Sequence, residues 1–117
     1  MNLLSNFFDP SVPNLDASAA KEKLDADPKP FLLDVRQPEE YREGHIAGAT
    51  LLPLGELGRR LKELPRDRPI IVVCHSGNRS YTATRYLVSA GYDAINLRGG
   101  MIGWTNKGLA IKKGMNA

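Results

Sequence analysis

Cys74 is the only cysteine among 117 residues, and its neighbours decide what chemistry it can do. It lies in Val73-Cys-His-Ser-Gly-Asn-Arg-Ser80, after the apolar run Ile70-Ile-Val-Val73 and before a helical pattern from Ser80 to Ala90 that Gly91 ends. A buried strand there would deliver Cys74 to the edge of a sheet. A turn containing Gly77 can curl the backbone so that several N–H groups point inward. A helix starting at about Asn78 to Ser80 would aim its N-terminal dipole at the same concavity. Inward amides and a helix N-terminus both stabilise negative charge. Arg79 adds a full charge and a planar fork for an oxyanion. Such surroundings favour thiolate over thiol, and a thiolate beside an anion pocket is an activated nucleophile for an anionic substrate. The candidate site is therefore Cys74 as nucleophile, with His75, Ser76, Gly77, Asn78 and Arg79 as the substrate-binding loop. His75, Ser76 and Asn78 are expected to act through backbone and loop shape more than through side chains. The competing reading is an inert, buried structural cysteine. The glycine, the following arginine, the strand and the helix all weigh against it.

The elements that must position this loop alternate along the chain. Asp16 is a plausible N-cap for a helix with Ala17, Ala20 and Leu24 on one face. Asp27-Pro-Lys-Pro30 breaks it, and Phe31-Leu-Leu-Asp-Val35 reads as a buried strand. Pro38, with Glu39 and Glu40 in the first turn, suits a helix start, and Gly44 its end. Ala49 to Leu52 is a second buried-strand candidate. Leu54, Leu57, Leu61 and Leu64 recur at helical spacing until Pro65. After the Cys74 loop and its helix, Ala94 to Leu97 reads as a last strand. Gly99 and Gly100 punctuate it, and Met101, Ile102 and Trp104 begin a final short helix. Alternating strands and helices predict an α/β fold, a parallel sheet with helices on both faces, whose ligands bind at the carboxyl ends of the strands. The expected organisation is an N-terminal arm over 1–11, carrying Phe7 and Phe8, one domain over 12–108, and a tail over 109–117.

Composition narrows the classes. Hydrophobic residues are 42% and charged residues 25%, a globular balance that argues against disorder and coiled coil. One cysteine excludes an internal disulfide framework. One cysteine and two histidines without chelate spacing make no zinc cluster, so no metal is expected. The formal charge is +3. The densest basic stretch, Arg59, Arg60, Lys62, Arg66 and Arg68, is interleaved with Glu56, Glu63 and Asp67, the pattern of a solvated face; nucleic acid is not an expected partner. No apolar run approaches the ~20 residues that span a bilayer, so no membrane partner is expected. The opening MNLLSNFFDP has no basic region before its apolar residues and is not read as an export signal. A lone thiol fits a reducing cytoplasm.

Four motifs, in order, resemble those of the single-domain rhodaneses, a family of sulfurtransferases. They are Leu32-Leu-Asp-Val-Arg36 with Glu39-Glu-Tyr41, then Gly44-His-Ile-Ala-Gly-Ala49, then Cys74 to Arg79, then Arg98-Gly-Gly-Met-Ile-Gly-Trp104. The resemblance covers about Val12 to Gly108. It implies a central, mainly parallel sheet of about five strands. It also implies transfer of sulfane sulfur from thiosulfate or a persulfide donor to a thiol, protein or cyanide acceptor, through a persulfide on Cys74. The loop amides would stabilise the outer sulfur, Arg79 would hold the anionic donor, and no cofactor is needed. In this family a loop with four residues between cysteine and arginine, as here, goes with sulfur substrates, whereas the related dual-specificity phosphatases have one residue more. Mercaptopyruvate-type members end the loop in Thr where Arg79 stands, which tilts the donor toward thiosulfate or a persulfide. The rival classes are a small phosphatase or arsenate reductase using the same thiolate, and a non-catalytic binding module.

The remaining candidates carry two readings each. Asp34 and Arg36 belong either to the pocket rim, tuning its charge, or to an ion-pair scaffold in which Arg36 meets Glu40; the scaffold is favoured. His45 could be an acid–base group, but its Gly-His-Ile setting reads as turn structure. Trp104 reads as packing.

Overall fold

The computed structural model describes residues 11–117; the expected Phe7–Phe8 arm lies outside the described residues. The elements are β1 (Asn14–Leu15), α1 (Ala17–Leu24), β2 (Phe31–Asp34), α2 (Pro38–Glu43), β3 (Thr50–Leu51), β4 (Ile70–Val73), α3 (Asn78–Ser89), β5 (Ala94–Leu97) and α4 (Gly100–Asn106). The apolar β-branched run Ile70–Val73 is buried at every position and takes the middle of the sheet, where a strand covered on both faces must be apolar throughout. The order is β1-β5-β4-β2-β3, and every pairing is parallel. Phe31 to Asp34 of β2 run beside Ile70 to Val73 of β4 in step.

The two faces of β4 feed two cores. Ile71 and Val73 pack with Leu32, Tyr41, Met101 and Trp104 on the side of α1, α2 and α4. Ile70, Val72 and Cys74 pack with Leu33, Val35, Ala83 and Leu87 on the side of α3. Leu87 is fully buried there. Leu87→Ala should therefore lower stability by about 2–5 kcal/mol, the cost of lost burial plus a cavity. Urea unfolding measures it, and a loss under 1 kcal/mol would show that this face of the core is loosely packed.

Three details depart from the sequence expectation. The leucines from Leu54 to Leu64 do not share one helix but form two 3-10 turns, Leu54–Glu56 and Leu61–Glu63. Gly55 and Gly58 fall inside that stretch, and glycine is the poorest non-proline helix former, so Leu57 and Leu64 are buried without a continuous helix. The candidate strand Ala49–Leu52 shortens to Thr50–Leu51 at the sheet edge, exposed or half-buried instead of enclosed. Strand β1, a two-residue edge beside β5, was not expected at all. Asp16 does cap α1, accepting the Ala19 N–H at 2.8 Å.

Candidate active site

The loop after β4 is fixed from below by α4. The amide of Met101 donates to the Cys74 carbonyl at 2.8 Å, and that of Ile102 to the His75 carbonyl at 3.0 Å. A trans peptide sets its C=O and N–H on opposite sides. Turning these two carbonyls toward α4 therefore turns the amides of His75 and Ser76 away from it. Gly77, at φ +104°, reverses the chain and donates its N–H to Cys74 Sγ at 3.1 Å. The amides of Asn78, Arg79 and Ser80 lie in the first turn of α3 and have no intrahelical acceptor. Cys74 thus sits, buried, at the head of a run of donors and of a helix dipole. His75, Ser76 and Asn78 are exposed, Gly77 is buried and Arg79 is half-buried. The approach of α4 demands glycine: a Cβ on Gly100 would stand 2.4 Å from the Cys74 carbonyl oxygen.

Two arginines order the charges beside the loop. Arg36 is buried and its guanidinium grips Asp34, with Nη2 donating to Oδ2 at 2.8 Å and Nε to Oδ1 at 3.0 Å. Nη2 also donates to the Gly44 carbonyl at 2.8 Å. The expected pairing of Arg36 with the Glu40 carboxylate is not made; only the Glu40 backbone carbonyl is within reach, at 3.4 Å. That carboxylate instead takes Arg79 in a two-pronged pair, 2.6 and 2.7 Å. Asp34 is fully buried and holds Arg36, which lines the adjacent groove with Glu40 and His75. Arg79 comes from the loop and Glu40 from the first turn of α2, so the pair ties the two together.

Hydrogen bonding to the Arg79 guanidinium holds the Glu40 carboxyl down to about 2, from an ordinary 4.5. A carboxyl lowered on folding contributes stability that is whole above 4.5 and is lost as pH falls toward about 2. The pair is a third exposed, so that contribution is modest. The expected result is a Glu40 carboxyl that stays ionised at pH 4 in an NMR titration of its side-chain carbon, with a midpoint that moves up toward 4.5 in Arg79→Ala. A wild-type midpoint near 4.5 would show the pair open in solution.

A second set of contacts reaches Cys74 from α3 and β5. Ser80 Oγ, fully buried, lies 3.3 Å from Cys74 Sγ and 2.6 Å from Asn96 Oδ1. In the sequence Ser80 marks only a helix start, and Asn96 only part of a strand. The polar residue inside Ala94-Ile-Asn-Leu97 was the available signal, since a buried amide in an apolar strand must have partners. Glu40 was visible as a first-turn acid, but its pairing across the site was not.

Beside the loop a groove of about 360 Å³ opens, lined among others by Arg36, Glu40, Glu43, His75, Met101 and Ile102. The C-terminal residues border it. Lys112 pairs antiparallel with His45, and the Gly114 amide donates to the Arg42 carbonyl. His45 is buried and stacked on Tyr41, with its ring nitrogens 2.9 Å from the Tyr41 carbonyl and 2.8 Å from that of Asn116. It serves as turn structure. Trp104 is buried in the core, and its indole N–H donates to the Ala110 carbonyl. No group of three or more potential metal ligands occurs among the described residues. None of the described helices is long and apolar enough to cross a membrane.

Comparison with known proteins adds a family. A family model described as "Rhodanese-like domain" matches residues 16–107. A protein of Allochromatium vinosum named "Sulfurtransferase" is 39% identical over 101 residues, covering 86% of this chain and 94% of that one. A Bacillus subtilis protein named "Putative sulfur carrier protein YrkF" is 42% identical over 98 residues, 83% of this chain; the match spans about half, 53%, of that longer protein. Among solved structures, a rhodanese-related protein from Thermoplasma volcanium superposes with a TM-score of 0.80 at 32% identity, over 86% of this chain and 97% of that one. A thiosulfate sulfurtransferase from Pseudomonas aeruginosa gives 0.84 at 33% identity, over 97% of this chain but 22% of that one.

Proposed function

The chain belongs to the rhodanese-like domain family, and we propose that it is a sulfurtransferase carrying sulfane sulfur as a persulfide on Cys74. The observation that carries the reading is the loop itself: one cysteine sulfur, already accepting an N–H, at the head of a helix and a run of unpaired amides. In the first half-reaction the Cys74 thiolate attacks the outer sulfur of thiosulfate. The new S–S bond forms as the old one breaks, and sulfite leaves with its electron pair. In the second, an acceptor such as cyanide or a thiolate attacks the terminal sulfur and regenerates the Cys74 thiolate. Charge balances in both steps, and neither calls for a metal or an organic cofactor. The loop amides face the charge carried by the outer sulfur. Arg79 meets the anionic donor, and Glu40 is the internal carboxylate that the donor must displace. A persulfide on a small molecule or protein fits the same steps. The acceptor is a thiol or a protein, in a reducing cytoplasm.

Asp34 is held by Arg36 and Glu40 by Arg79, so neither of these two carboxylates is poised to protonate a leaving alcohol. The test is intact mass after incubating reduced protein with thiosulfate. One added sulfur atom, removed by cyanide with release of thiocyanate, is the expected result. A reactive thiol that takes no sulfur from thiosulfate or from a glutathione persulfide would overturn the reading.

A further inference from the structure

A single file of hydrogen bonds runs from Cys74 to the edge of the sheet, and its direction can be read from its far end. The Val12 carbonyl can only accept. Asn14 therefore turns its Nδ2 to it, at 3.1 Å, and leaves Oδ1 to face its cross-strand partner Asn96. Asn96 answers with Nδ2, at 2.8 Å, and so presents Oδ1 to Ser80. A hydroxyl has one proton. Ser80 gives it to Asn96 across 2.6 Å, which leaves Ser80 Oγ to face Cys74 Sγ as an acceptor at 3.3 Å. Asn96 and Ser80 are buried, so water does not come between these two or between Ser80 and Cys74.

We propose that Asn14 and Asn96 are positioning residues that commit the Ser80 proton away from the sulfur, so that Ser80 faces Cys74 as an acceptor and opposes the thiolate that the loop amides and the helix dipole favour. The proposal rests on Cys74 being the nucleophile. It does not need the sulfur donor to be known. Ionisation moves the proton from Sγ to solvent. The thiolate then keeps the Gly77 N–H, whereas Ser80 can serve it only by abandoning Asn96. Persulfide formation removes the S–H altogether, and the restraint no longer acts on the loaded enzyme.

The most telling variant is the mildest. Asn14 is exposed on an edge strand, and Asn14→Ala leaves Asn96 free to turn its amide over. Nδ2 of Asn96 then donates to Ser80, and Ser80 donates to the thiolate. The rate of Cys74 alkylation by iodoacetamide at pH 7 should rise about three- to tenfold, the reach of one neutral hydrogen bond. The pH–rate profile should move toward lower pH by the matching amount. Ser80→Ala removes the acceptor without supplying a donor, so its profile should stay or move to lower pH, and Asn14→Ala should add nothing in that background. The charged groups around the sulfur are the same in every variant: Arg79 with Glu40 from α3 and α2, the buried Asp34–Arg36 pair from β2, and exposed His75 in the loop. At the β1 end they are Asp16, Arg98 and Lys107. An unchanged or slower rate in Asn14→Ala with its fold intact by circular dichroism, or a Ser80→Ala profile moved to higher pH, would overturn the proposal. The readout uses no sulfur donor. Failure to form a persulfide would leave it standing while removing the sulfurtransferase reading.

Discussion

Cys74→Ser should fold, bind anions and transfer no sulfur. The expected loss of thiosulfate:cyanide activity is on the order of 10⁴-fold or more, as when a covalent enzyme loses its nucleophile. A serine hydroxyl at this position stays protonated and cannot form the sulfur–sulfur bond on which both half-reactions depend. The fold should survive. Oγ can still accept the Gly77 N–H and bond to Ser80, the two polar contacts that Sγ makes. The cost of placing a hydroxyl among Leu33, Val35 and Val72 should be about 1 kcal/mol. Three measurements separate the readings: steady-state transfer, intact mass after thiosulfate, and urea unfolding. Transfer that persisted in a folded Cys74→Ser protein would remove the persulfide from the mechanism, because no other cysteine is present to carry it.

The part of this site legible in the sequence is the part that local chemistry dictates. A four-residue apolar β-branched run, a glycine that must reverse the chain and a helix start beyond it placed Cys74 at a strand end, and β4, Gly77 and α3 stand there. The parallel sheet was legible for the same reason: short buried strands alternating with helices leave few other ways to cover both faces. What was not legible is partnership across the chain. Arg36 reads as a partner for Glu40, but the carboxylate it meets is that of Asp34, buried beside it. The leucines from Leu54 to Leu64 kept helical spacing, yet their burial was met by two separate turns, because periodicity records which residues go inside and not how the backbone takes them there. Strand β1 is two residues long, below the length at which a pattern exists, and is made a strand only by its pairing with β5. The contact of Ser80 and Asn96, 16 positions apart, likewise exists only once α3 is laid against β5.

Gly100→Ala should damage the site almost as severely, from a residue that touches no substrate. Gly100 has φ +55°, where a side chain is strained, and its Cβ would meet the Cys74 and His75 carbonyl oxygens at 2.4 and 2.6 Å. These are backbone atoms at the end of the central strand and cannot swing aside as a flexible side chain could. Relief requires α4 to withdraw from the loop. That lengthens or breaks the hydrogen bonds that the Met101 and Ile102 amides donate to the two carbonyls, which turn them toward α4. A shift of about 1 Å in a positioning element can cost on the order of 10²-fold in rate, and the strain should remove about 2–4 kcal/mol of stability. Gly103→Ala, in the same helix, is the control. Its Cβ would meet only the Arg98 carbonyl oxygen, at an ordinary 3.7 Å. Alanine in a helix interior should be neutral or stabilise by up to about 1 kcal/mol. Equal activity in the two variants would mean that α4 does not set the loop, and that the turn at Gly77 holds the amides in place alone. A large loss in Gly100→Ala only would show that the Gly-Gly of Arg98-Gly-Gly-Met101 is there to let a helix end press against the backbone of the nucleophile.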